Sequence, residues 1–211
     1  MNKLFIIGLP RTGTTSISVS LLEHFKVAHT AYTKHAFELA DVVSDCPCFS
    51  DYHQLDALFP DSKFVYLQRP LDLWIPSIQM LLNKMQPHLN AKTYTNPILK
   101  RSFGQTFDLN NVDKPLDDLL DSAHLTACYQ GHEQGVIDYF HNNNDNLLSI
   151  DVSQKDSLPR LLAFLGLSHS GEEQFPHLNM GRRVDSWGEF KHPNKVNANA
   201  AGSERRKFFD Y

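Results

Sequence analysis

Phe5-Ile6-Ile7-Gly8-Leu9-Pro10-Arg11-Thr12-Gly13-Thr14-Thr15-Ser16 joins a short apolar run to a glycine-bounded turn and a string of hydroxyl residues. Gly8 and Gly13 keep the spacing of a Walker A loop, G-x-x-x-x-G-K-[ST], whose lysine reaches the β- and γ-phosphates and whose next hydroxyl holds Mg²⁺. Thr14 stands where that lysine belongs. A strand-to-helix turn still aims backbone N–H groups at a phosphate, because a helix N-terminus carries partial positive charge. Without the lysine, the loop is equipped to cradle a phosphate and poorly equipped to split a triphosphate.

Working outward, Ser62-Lys63-Phe64-Val65-Tyr66-Leu67-Gln68-Arg69-Pro70-Leu71-Asp72-Leu73-Trp74-Ile75-Pro76-Ser77 is a β-rich run, an Arg-Pro pair and a helical pattern, with Ser77 eight residues after Arg69. A third stretch reads Leu147-Leu148-Ser149-Ile150-Asp151-Val152, then Leu158 to Leu167, then Phe175-Pro176-His177-Leu178-Asn179.

Together these stretches resemble the PAPS-dependent sulfotransferases, in a bacterial branch of that family. Pro10-Arg11-Thr12-Gly13-Thr14-Thr15 is similar to the family's 5′-phosphate loop, P-K-x-G-T-T, with arginine in the lysine position. Arg69 and Ser77 match the Arg and Ser that hold the cofactor's 3′-phosphate. An isolated phosphate dianion suits a guanidinium fork plus a hydroxyl on rigid elements. The third stretch looks like the family's late strand, its L-x-x-F-L-G helix and its F-P-H-x-N segment. The likeness covers most of the chain and is weakest over Met85 to Asp113.

The resemblance implies a cofactor, 3′-phosphoadenosine-5′-phosphosulfate (PAPS, leaving as PAP), and no metal. It implies cofactor binding by Arg11, Thr12, Gly13, Thr14, Thr15, Ser16, Arg69 and Ser77, with Arg182 and Arg183 as a looser carry-over because the family's R-K-G signature is missing. Arg11 is the candidate for the leaving-group side, since its charge is not lost near neutral pH. For the base, the segment Ser44 to His53 resembles a family stretch in which an acid precedes a proline and aromatics, which points to Asp45; His53 and Asp51 stand as alternatives. Cys46, Pro47, Cys48 and Phe49 are placed to wall such a carboxylate from water.

At 211 residues and 24.1 kDa, with 41% hydrophobic and 21% charged residues, the chain suits one domain with a core of its own over 1–211. A formal net charge of −4 suggests neither general nucleic-acid nor membrane affinity. Residues 182–211 carry a net +3 and the remainder −7, so a basic C-terminal segment ends an acidic protein. Three cysteines, Cys46, Cys48 and Cys128, have no zinc or disulfide spacing and read as reduced thiols. Eleven histidines include no H-E-x-x-H pair. With no signal peptide pattern and no apolar stretch near twenty residues, the expectation is a soluble cytoplasmic protein.

Periodicity predicts a strand over Leu4 to Gly8, a helix from Thr14 to Phe25, a short strand over Val27 to Thr30 and a helix over His35 to Val43. A loop at Asp45 to Ser50 and a helical stretch over Tyr52 to Phe59 precede a strand at Lys63 to Leu67 and a helix to Met85, bent at Pro76. Gln86 to Lys114 reads as an irregular, acceptor-facing insertion. Leu116 to Asn142 is helical and Leu147 to Val152 a strand. Alternating strands and helices predict an α/β fold: a P-loop-like three-layer sandwich with a central parallel sheet and ligand loops at the strands' C-terminal ends. The expected function is sulfonyl transfer from PAPS to a hydroxyl or amine on a small molecule or carbohydrate. The alternatives are a P-loop nucleotide kinase, which the absent lysine disfavours, and a non-catalytic PAP-binding protein.

Overall fold

The computed structural model describes residues 3–90, 96–109, 115–141, 144–168, 174–176 and 186–204. Five strands, β1 (Leu4–Ile6), β2 (Val27–Ala28), β3 (Val42–Ser44), β4 (Lys63–Leu67) and β5 (Leu147–Ile150), form one parallel sheet in the order β2-β3-β1-β4-β5. Leu4 pairs with Val42 on one side and Lys63 on the other, and Phe64 pairs with Leu147.

Strand alternation divides the core into two layers. Phe5, Val43, Phe64 and Tyr66 face α2 (Lys34–Leu39), α3 (Cys48–Leu58) and α7 (Ser122–Phe140), where Phe37, Leu55, Val136 and Phe140 complete a buried cluster. Leu4, Ile6, Val42, Val65 and Leu67 face the opposite way, onto Ile17 of α1 (Thr14–Ser20), Leu21, and Leu158 and Leu161 of α8 (Ser157–Leu165). A third cluster lies beyond the strands' C-terminal ends. It joins Leu9, Cys46 and Phe49 to Trp74 and Ile78 of α4 (Leu71–Asn90) and Ile98 and Phe103 of α5 (Pro97–Thr106). The α/β sandwich with a central parallel sheet therefore stands as expected from the sequence.

The middle of the predicted helix over His35 to Val43 is where the structure differs most. Thr33 caps α2 by accepting the Ala36 N–H, but Ala40 is already extended and Val42–Ser44 is the strand next to the centre of the sheet. Two β-branched residues with one side chain for each core layer favour a strand buried on both faces. α1 ends at Ser20 rather than Phe25, although Leu21 and Leu22 still pack in the core beyond it. Within Gln86 to Lys114, the described residues 86–90 and 96–109 are more regular than predicted. α4 runs through Pro76 to Asn90, and α5 starts on an Asn96 cap with Pro97 in its first turn.

The outer edge of β2 is covered by the C-terminal segment that follows α9 (Ser186–Glu189). Val27 donates its N–H to Asn194 O at 2.8 Å and accepts from Val196 N–H at 2.9 Å, and Tyr32 N–H donates to Ala198 O at 2.8 Å. Covering an edge in this way removes a row of unpaired backbone groups. No helix among the described residues is long and apolar enough to cross a membrane.

Candidate active site

The loop after β1 closes on itself through Thr12, whose N–H and Oγ1 both donate to Leu9 O, at 3.2 and 2.6 Å. Its two glycines are fixed by close approach. A Cβ on Gly8 would lie 2.4 Å from Leu67 Cβ, and one on Gly13 would lie 2.4 Å from Val152 Cγ2, with Gly13 also at φ +112°. The loop thus passes between the ends of β4 and β5 where a side chain does not fit. Trp74, fully buried, donates its indole N–H to Pro10 O at 2.9 Å and ties α4 to the loop.

The two motifs that are far apart in sequence meet here. Arg11, at φ 73°, donates through Nε to Ser77 Oγ at 2.8 Å, and Arg69 donates through Nη1 to Arg11 O at 2.6 Å. Arg69 is held in turn by its own N–H, which donates to Tyr129 Oη at 2.9 Å. Burial and the neighbouring Arg69 guanidinium press the Arg11 pKa downward, with Asp45 opposing them. Among the described residues neither guanidinium makes an ion pair with a carboxylate within 4 Å. Two like charges in one recess, with several hydroxyls beside them, are suited to an anion carrying more than one phosphate.

Asp45 ends β3 in the left-handed region, at φ 56°. Its Oδ1 accepts from Cys46 N–H at 2.8 Å and its Oδ2 from Thr14 Oγ1 at 3.1 Å. Cys46, Pro47, Cys48 and Phe49 beneath it are buried, and burial pushes both thiols well up from their ordinary pKa. These cysteines are therefore inert packing groups.

A cavity of about 600 Å³ is lined by Arg11, Thr12, Gly13, Thr14, Thr15, Ser16, Asp45, Arg69 and Ser77, bringing most of the sequence-predicted residues to one place. His53 is not among them. It lies exposed on α3, its ring 4.1 Å from that of Tyr139 and 4.3 Å from that of Tyr52. Asp51 is buried in an ion pair with Arg101 and also lies off the cavity lining. Both follow from helix phase, since Asp51, Tyr52 and Leu55 turn inward while His53 and Gln54 turn out. Arg182 and Arg183 lie outside the described residues, as do His177 to Asn179.

The cavity also holds residues that sequence reasoning missed. His29 follows β2 and places Nε2 2.8 Å from Thr15 Oγ1; Asp151 and Ser153 follow β5. All three sit just past strand C-termini, the positions where parallel sheets carry their sites, a signal available for Asp151 and Ser153 but not at His29, where the strand is only two residues long. Behind the loop, Ser18 Oγ donates to Thr14 O at 2.7 Å and lies 2.7 Å from Ser44 Oγ, a buried hydroxyl link between α1 and β3. Leu73, Pro76 and Met80 give the cavity an apolar flank along α4. Among the described residues no group of three or more His, Cys, Asp or Glu is arranged to hold a metal.

Comparison with curated proteins finds no match. A family model described as a sulfotransferase domain matches residues 23–184, which take in Asp45, Arg69 and Ser77 and begin after the glycine-bounded loop. That span is well over half of the 211 residues, and the chain belongs to the sulfotransferase domain family.

Proposed function

We propose that the chain transfers a sulfonyl group from PAPS to a hydroxyl or amine of a small-molecule or carbohydrate acceptor. The observation that carries this reading is the meeting of Arg11, Arg69 and Ser77 beside a threonine-rich loop: the Arg11 side chain donates to Ser77 Oγ at 2.8 Å and Arg69 to the Arg11 carbonyl at 2.6 Å, with neither guanidinium in an ion pair among the described residues. That donor set fits a nucleotide with phosphates at two positions. When bound, PAPS supplies a sulfonyl group for in-line displacement, with PAP as the leaving group.

Toward the ligand the residues divide the work. Arg69 and Ser77 hold the 3′-phosphate. Thr14 and Thr15, with the amides of Thr12 and Gly13, hold the 5′-phosphate, and Arg11 neutralises charge that gathers on the leaving oxygen. Asp45 lies on the other side of the loop, and its Oδ2 takes the acceptor's proton. Positioning by rigid strand ends supplies much of the remaining barrier reduction.

The test is thermal. PAP should raise the melting temperature in the absence of added metal, approaching about 2.7 kcal/mol of stabilisation at a hundredfold excess over Kd. AMP, which lacks the 3′-phosphate, should do much less. Equal shifts from the two nucleotides would remove the assignment of Arg69 and Ser77, and transfer of labelled sulfate from PAPS into a metabolite mixture identifies the acceptor.

A further inference from the structure

Between the end of β4 and the start of α4 the backbone has few ways to be held. Gln68 N–H still belongs to the sheet, donating to Ile150 O at 2.9 Å, and Pro70 has no N–H to give. Arg69 N–H is the donor left in the turn, and it goes to Tyr129 Oη at 2.9 Å. One helical turn further along α7 the same turn is gripped again, where Gln68 Nε2 donates to Glu133 Oε1 at 3.0 Å.

Tyr129 is buried and lies off the cavity lining. Its ring meets that of Trp74 edge-on, with centroids 4.9 Å apart, and Trp74 is the residue that donates to Pro10 O. Two aromatic side chains of the third cluster thus fix, one each, the backbones that carry Arg69 and Arg11. The Arg69 side chain is thereby held at both ends, its backbone by Tyr129 and its guanidinium by Arg11 O. An arginine left to itself has large rotamer freedom, and one beside a second guanidinium is pushed away from it. Holding it in the ligand-free protein removes that ordering cost from binding.

We propose that Tyr129 is a positioning residue for nucleotide binding: by accepting the Arg69 N–H, its hydroxyl sets the Arg69 guanidinium where the 3′-phosphate is received. This rests on the reading that the cavity takes PAP. The hydroxyl acts through Arg69 alone. Its removal therefore costs binding no more than one hydrogen bond is worth, about two- to tenfold in affinity.

The experiment is PAP titration calorimetry on the wild type, Tyr129→Phe, Arg69→Ala and the double variant. Phenylalanine keeps the ring against Trp74 and removes only the acceptor for Arg69 N–H. Tyr129→Phe should weaken PAP binding by about two- to tenfold in the wild-type background. In the Arg69→Ala background, where no guanidinium remains to be set, the same change should leave the affinity where it was. A general loosening of the core would instead weaken binding by the same factor in both backgrounds. Wild-type affinity in Tyr129→Phe, or an equal loss with and without Arg69, overturns the role of Tyr129 and leaves the nucleotide reading intact. Amide hydrogen exchange on the wild type decides the matter if Tyr129→Phe does not fold. Arg69 N–H should already be protected in the ligand-free protein, and protection that appears only with PAP overturns the proposal. Absence of PAP binding by the wild type overturns both readings.

Discussion

The Arg69 guanidinium donates to the carbonyl oxygen of Arg11 at 2.6 Å, so a residue in the turn after β4 braces the backbone of the loop after β1. One arginine thereby shapes the loop and presents charge to the cavity. The two tasks separate on mutation. The brace alone is an ordinary hydrogen bond, worth about 1 kcal/mol, and losing it is offset in part by relief of the repulsion that Arg69 exerts on Arg11.

Arg69→Ala should therefore change the stability of the ligand-free protein by no more than about 1 kcal/mol, yet weaken PAP binding by about 2–5 kcal/mol, the range for deleting one member of a desolvated charge pair. Ser77→Ala should weaken it less, because Arg69 still supplies the charge at that phosphate. Titration calorimetry on the two variants measures both effects, and unchanged PAP affinity in Arg69→Ala would sink the 3′-phosphate assignment.

Gly13→Ala should lower stability by about 2–5 kcal/mol, combining the dihedral cost of a Cβ at φ +112° with overpacking against Val152. The two parts are separable. In a Val152→Ala background the new methyl group has room, so the packing part should vanish while the dihedral part stays. Urea unfolding of the four proteins of this cycle gives the coupling, and simple additivity would show that Val152 does not press on the loop.

His132 supplies an acid-sensitive element off the cavity lining. It is packed in α7 with its ring 5.7 Å from that of Tyr66, its Nε2 2.8 Å from Phe49 O, and burial lowers its pKa to about 4. The unfolded chain, near 6.5, takes up the proton first as pH falls. Its contribution is thus complete above about pH 6.5 and is lost between there and pH 4, amounting to about 3 kcal/mol. Denaturant midpoints measured across that range should fall less steeply in His132→Gln, and parallel curves would refute the assignment.

How far the chain could be read follows from what each residue answers to. β4 was legible to the residue, because Lys63 to Leu67 is a buried run bounded by Pro60-Asp61 and Gln68-Arg69. β3 was not, since Val42-Val43-Ser44 follows a helical pattern without a breaking residue, and only its place between β1 and β2 makes it a strand. Motif spacing singled out Arg11, Arg69 and Ser77 but paired Ser77 with Arg69; that Ser77 accepts from Arg11 was not legible, because it depends on how the loop after β1 lies against α4. His29 was not, because β2 is two residues long and a histidine after Val27-Ala28 gains meaning only when Thr15 is found beside it. His53 shows the opposite error: a titratable residue near the right loop in sequence, carried outward by the turn of α3.

Asp45 is where positioning and proton transfer can be told apart. Its Oδ1 is committed to Cys46 N–H and its Oδ2 to the Thr14 hydroxyl, and among the described residues no arginine or lysine is bonded to the carboxylate. Asp45→Asn keeps the shape and one acceptor oxygen for Cys46, while Thr14 loses a competitor for its proton. PAP affinity should therefore not weaken. Turnover should fall by about 10²–10⁴-fold, the usual loss when a positioned base is removed. The deficit should shrink for an acidic phenol that is already ionised at the assay pH, because such an acceptor has no proton to give. Steady-state rates with a series of phenols, set beside PAP calorimetry, distinguish the outcomes. Loss of PAP binding in Asp45→Asn would make the residue structural, and a near-normal rate there combined with a collapse in His29→Gln at full PAP occupancy would move the base to His29.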